Sequence, residues 1–221
     1  MVIKEYRSLE NQAIFAKNPA KKLKMKKLCV LLGCQYVAYI EGNPRTNTLW
    51  KPLYLKCLAV LTKGLNDDPN KGDDRLIWMK ELTGEISGEL KSMDESDIES
   101  LPELVTCLKA IVNSELIVKT AISIEESQDE ETNEQINDIT NEALNICCER
   151  SYPLFLHLLI DYVGMDPNAI IDNNMLNTRP VHKAASNGKS GTLVYLHYTH
   201  NVPLDQMDKN QNNPAHLAFL N

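Results

Sequence analysis

At 221 residues and 43% hydrophobic content, the chain can bury one large core or two small ones. No window approaches the ~18 consecutive apolar residues of a membrane-spanning helix, and Met1–Asn11 holds no signal-peptide core. The net charge of −7 conceals a division: residues 1–63 carry 12 Lys/Arg against 3 Asp/Glu, residues 64–150 carry 7 against 22, and the remainder 4 against 5. Such asymmetry is satisfied either internally, by basic helices lying against acidic ones, or by an electrostatic partner. Six scattered cysteines lack the paired spacing of a disulfide framework, which points to a reducing, cytoplasmic setting.

Taken in order, the first two thirds read as helices. Lys21–Ile40 places Leu23, Leu28, Leu31, Leu32, Val37 and Ile40 among charges, and Gly42–Asn43–Pro44 stops it. Leu49–Leu65 follows, ended by the turn Asp67–Gly72. Arg75–Met93 spaces Leu76, Ile77, Leu82, Ile86 and Leu90 for one buried face, with Asp73 or Asp74 available as its cap. Gly84 and Gly88 weaken it by about 1 kcal/mol each relative to Ala. Ser100–Glu103 has the form of a capping box and opens a helix to about Ser123. These elements suit a helical bundle over 1–124. Glu125–Glu134 carries six negative charges and no hydrophobic residue, so it reads as an acidic linker.

The last third repeats itself. Pro180–Val181–His182–Lys183–Ala184–Ala185, with Gly188 beyond it, returns as Pro214–Ala215–His216–Leu217–Ala218–Phe219, and both Pro and His recur after 34 residues. Proline opens a helix cheaply, because its missing N–H would be unpaired there. Asn213 is a good cap before the later copy; Arg179 cannot serve so before the earlier one, where Thr178 is the alternative. Gly188 suits the left-handed residue after the first helix, and a second helix is expected over Thr192–Tyr198. There Asn201 stands where the chain must again turn left-handed. A fainter copy runs through Ala143–Ser151, then Phe155–Ile160 and Gly164–Asn168, with Cys147 and Cys148 in the two small-residue places.

These motifs resemble the ankyrin repeat, whose period is about 33 residues. The resemblance covers 135–221 and implies an all-α chain: a helical bundle followed by about two and a half ankyrin repeats, the last incomplete. It implies a non-catalytic adaptor that grips another protein with hairpin tips and inner helices. On this sequence those are Asn173, Asn174 and Met175, then Asn210, Gln211 and Asn212, with Lys183, Asn187 and Lys189 on the inner helices. Asn-rich tips also make good turns without any partner. Because Asn221 falls inside the first helix of a third repeat, and about three repeats make a stable stack, the expectation is either a longer parent protein with more repeats or a last helix that frays.

Chemistry has few candidates. Lys21, Lys22, Lys24, Lys26 and Lys27 form the sharpest local feature, readable as a solvated basic face, a patch for an acidic protein or membrane, or a nucleic-acid contact. No aromatic residue is interleaved, so base stacking is unsupported. All five histidines follow residue 150, and His182 and His216 belong to the repeat. The cysteines sit in apolar patterns, and no zinc spacing, phosphate loop or His-Glu-x-x-His occurs, so neither metal nor cofactor is expected. The competing reading is an enzyme with its active site in the N-terminal helices or in a missing C-terminal part. Ankyrin-bearing effectors of intracellular bacteria resemble this plan and act in a host cytosol.

Overall fold

The computed structural model describes residues 11, 19–41, 51, 55–57, 59, 75–93, 105–111, 130–171 and 176–220. Among them every regular element is helical, in agreement with the all-α reading. In chain order these are α1 (Pro19–Glu41), α2 (Arg75–Ser92), α3 (Glu130–Arg150), α4 (Pro153–His157) with a π-helical continuation Leu158–Val163, α5 (Pro180–Ser186), α6 (Ser190–His200) and α7 (Pro214–Leu220). Residues 105–111 are also helical. The helix expected over Leu49–Leu65 lies largely outside the described residues, as does most of the one expected from Ser100 to Ser123.

The contacts divide the chain into two compact units. One unit gathers Met1–Pro44, Cys148–Leu154 and Pro167–Asn221; the other gathers Arg45–Cys147 and Phe155–Asp166. Residues 130–134, read as linker, are the start of α3. Glu and Gln are good helix formers, and a stretch without Gly or Pro continues a helix even where it carries no hydrophobic residue.

In the first unit, α1 packs along α6. Helix α1 opens on Pro19, two residues before the expected start, and buries Met25, Leu28 and Leu32 at i, i+3 and i+7, with Leu31 and Ala38 beside them. Helix α6 buries Gly191, Thr192, Tyr195, Leu196 and Thr199. The close approach rests on Gly191: a Cβ there would stand 2.8 Å from the carbonyl oxygen of Cys34 and 3.6 Å from the Ala38 nitrogen. The Ser151 and Thr192 hydroxyls meet at 3.2 Å, so two buried polar groups satisfy one another. The Leu154 N–H donates to Gln35 Oε1 at 3.3 Å, tying the start of α4 to α1. Asn201 ends α6 at φ 54°, the left-handed turn its sequence position calls for.

In the second unit Ile86 of α2, Val105, Leu108 and Ile111 of the 105–111 helix, and Ala143 and Leu144 of α3 are buried. The run from Phe155 to Ile160 is buried throughout except His157, whose Nδ1 lies 2.7 Å from an Asp161 carboxylate oxygen. This stretch was expected as an ordinary second helix of a repeat; it widens instead to π geometry from Leu158 to Val163. Gly164 closes it at φ 89°, and the Met165 N–H reaches back to the Leu159 carbonyl at 3.0 Å.

Candidate functional site

The segment from Asn168 to Leu220 carries the candidate site, and its two helix starts show how local chemistry builds it. Arg179 is the N-cap of α5 with extended backbone (φ −113°, ψ 164°), so the frame does not shift to Thr178. The reason is the histidine one turn in: His182 Nδ1 accepts the Arg179 N–H at 3.3 Å, the part a Glu plays in a capping box. With Nδ1 an acceptor, the ring proton sits on Nε2, which donates to the Gln206 carbonyl at 3.0 Å. His182 is fully buried and thereby ties the entry of α5 to a loop 24 residues later. The Arg179 guanidinium, freed from capping, donates to the Asn168 carbonyl.

Helix α7 repeats this start with both halves present. Asn213 Oδ1 accepts the His216 N–H at 2.8 Å, and the Asn213 N–H donates to His216 Nδ1 at 3.4 Å. His216 is exposed where His182 is buried. Between the helices, Gly188 at φ 64° places its N–H on Ala185 and the next N–H on Ala184, and the buried Ala184 and Ala185 permit the tight turn into α6.

Backbone hydrogen bonds hold the described residues of both connecting loops. The Ile171 N–H bonds the Thr178 carbonyl at 2.9 Å across the first. In the second, Gln211 N–H bonds Asp208 O at 3.0 Å, Asp208 N–H bonds Asn212 O at 2.9 Å, and Asn212 N–H bonds Asp208 Oδ1 at 2.8 Å. The Lys209 N–H bonds the Leu176 carbonyl at 2.9 Å, linking the second loop to the end of the first.

Of the residues read as partner-binding, Asn173, Asn174 and Met175 lie outside the described residues. Asn210 and Gln211 are exposed at the second tip, Gln211 at φ 61°, while Asn212 is half-buried. Lys183 is held by Glu149 at 3.3 Å, an ion pair between α3 and α5. Asn187 is exposed, its Nδ2 donating to the Lys183 carbonyl at 2.8 Å. Lys189 caps α6 and is half-buried. In the basic stretch Lys22, Lys24 and Lys26 are exposed and Lys27 half-buried; the Lys21 side chain lies outside the described residues.

No known protein family, curated protein or solved structure matches this chain. His197 Nδ1 bonds Val202 O at 3.0 Å, and His200 Nε2 bonds the Tyr195 hydroxyl at 2.8 Å with the rings edge to face. Every histidine is thus engaged by its own neighbourhood. All six cysteines are buried and none is in a disulfide, and burial pushes the Cys34 thiol up to about 12, the opposite of what a nucleophile needs. Among the described residues no three His, Cys, Asp or Glu side chains converge on a metal position, and no helix is long and apolar enough to cross a membrane.

Sequence reading missed one feature. An open apolar groove of about 300 Å³ runs between α1 and α6, lined by Cys29, Val30, Gly33, Cys34, Val37 and Val194 among others. The signal was present: Val30, Gly33 and Val37 repeat at i, i+3 and i+7 on the face of α1 away from Leu28 and Leu32.

Proposed function

We propose that the chain is a protein-binding adaptor whose C-terminal segment, 135–221, is a short ankyrin-like stack presenting hairpin tips and inner-helix side chains to a partner protein. The observation that carries this reading is the repeated helix start. His182 and His216, 34 residues apart, each accept the N–H of the residue three positions earlier, directly before a proline-opened helix. The bond between the two loops supports the same reading, since it lines up Leu176 and Lys209 as neighbours along one edge. Stacking of repeats builds an extended surface and leaves the chemistry to others. The working face is then Lys183, Asn187, Lys189, Asn210, Gln211 and Asn212, with Asn173, Asn174 and Met175 completing the first tip.

The test pairs the chain with two variants in affinity capture from lysate, followed by titration of the purified captured protein. One variant is Asn174→Arg with Asn210→Arg; the other is Lys22→Glu, Lys24→Glu and Lys26→Glu. Loss of at least tenfold in affinity for the tip variant, with an unchanged circular dichroism melt, supports the adaptor reading. A partner retained by the tip variant and lost by the lysine variant would overturn it and move binding to α1.

A further inference from the structure

Cys107, on the 105–111 helix, and Cys147, on α3, face one another across the interior of the second unit. The Cys147 thiol donates to the Cys107 sulfur at 3.6 Å, and the Cys107 thiol in turn donates to the Ala143 carbonyl at 3.6 Å. Both residues are 0% exposed. They stand 40 positions apart in sequence, so a bond between them would close a long loop. The other thiols are less well placed for cross-linking along their own helices. Cys147 and Cys148 are adjacent on α3, where successive side chains diverge, and Cys29 and Cys34 are five apart on α1, off the three- or four-residue spacing that brings side chains together.

We propose that Cys107 and Cys147 are a latent cross-linking site, converted by hydrogen peroxide into a disulfide that staples the 105–111 helix to α3. The sulfurs are shielded in the closed unit, so the first step follows local opening, in which the thiol ionises and becomes a nucleophile. One thiolate attacks a peroxide oxygen: an S–O bond forms, the O–O bond breaks, and the leaving hydroxide takes up the proton to become water. Reclosure brings the second thiol against the sulfenic acid. Its sulfur attacks, the S–S bond forms, the S–O bond breaks, and hydroxide leaves with the thiol proton as a second water. Two electrons pass from the two sulfurs to one peroxide, and nothing else is consumed. The two S–H hydrogen bonds are exchanged for one covalent bond, and the sulfurs need approach by only about 1.5 Å to reach disulfide length.

Closing a loop of this size removes much chain entropy from the unfolded state, so the oxidised chain is expected to melt roughly 5–15 °C higher. The experiment treats the full chain with hydrogen peroxide under native conditions, blocks remaining thiols with iodoacetamide, and maps the digest by mass spectrometry. The expected result is a linked peptide pair containing Cys107 and Cys147, absent after reduction, together with a raised melting temperature that reduction reverses. Cys107→Ala should lose both the link and the rise. Should that variant fail to fold, the wild-type peptide map decides alone. The proposal is overturned if Cys107 and Cys147 stay as blocked thiols while other cysteines oxidise, if they gain oxygen separately, or if the linked chain melts no higher than the reduced one.

Discussion

His182 holds two main-chain groups, the Arg179 N–H and the Gln206 carbonyl, from either side of α5 and α6, and does so fully buried. Truncating it to Ala leaves the Gln206 carbonyl without its donor and opens a cavity, and each contributes. The expected cost is about 2–4 kcal/mol, read from urea denaturation. His216→Ala, at an exposed position with only a 3.4 Å bond from Asn213, should stay within about 0.5 kcal/mol. Equal costs at the two sites would mean that the local bond they share, and not burial, sets the contribution of the histidine.

Cys34 gives a second prediction at the same scale. Burial moves its thiol from 9.0 up to about 12, so the folded state keeps the proton after the unfolded chain has lost it. A raised folded value stabilises fully below the unfolded value and is lost as pH climbs from 9 toward 12. Stability should therefore fall above pH 9 by up to about 1.4 kcal/mol per pH unit from this group alone. Comparing wild type with Cys34→Ala at pH 8 and pH 10.5 isolates it from the lysines and tyrosines. The gap between the two proteins should narrow at the higher pH, and a constant gap would remove Cys34 from the account.

Between elements, the decisive contact is the approach of α6 to α1 at Gly191. Ala is normally favoured over Gly inside a helix by about 1 kcal/mol. Here the added Cβ meets a carbonyl oxygen at 2.8 Å, and backbone cannot swing aside as a flexible side chain can. Gly191→Ala should thus destabilise by about 1–3 kcal/mol despite better propensity. Gly84→Ala and Gly88→Ala, whose Cβ would meet nothing within 4 Å, should each stabilise α2 by about 0.5–1 kcal/mol. Thermal melts of the three variants give the signs directly, and a stabilised Gly191→Ala would mean that α1 and α6 part easily. The spans of α1 and α2 were legible beforehand to within two residues, because caps, prolines and apolar spacing act within a few positions; the start of α3, with no apolar residue before Ile136, was not. The pairing of α1 with α6 was not, since it joins residues more than 150 apart and Gly191 carries no sign of its neighbour.

At the scale of the whole molecule, charge sets the behaviour that stability does not. With pI ≈ 5.3 the chain loses its net charge near that pH, where self-association is least opposed. Turbidity against pH at low salt should peak between about pH 5 and 5.5. A peak displaced toward neutrality would point to attraction between the basic first 63 residues and the acidic middle of neighbouring molecules. The candidate site was legible in part. The capping at Asn213, the left-handed Asn201 and the turn at Gly188 follow from residues within one turn of each other. The Glu149–Lys183 ion pair joins residues 34 apart and has no such local signal.

By itself, then, the sequence determined the helical class, most described helix ends and the repeated Pro-x-His start, because each is settled by interactions between residues a few positions apart. The tertiary structure alone decided that α1 joins the C-terminal segment, that the helix after Pro153 widens at Leu158, and that Cys107 meets Cys147. Those outcomes depend on which surfaces meet across long stretches of chain, and periodicity marks a face as apolar without saying what will cover it.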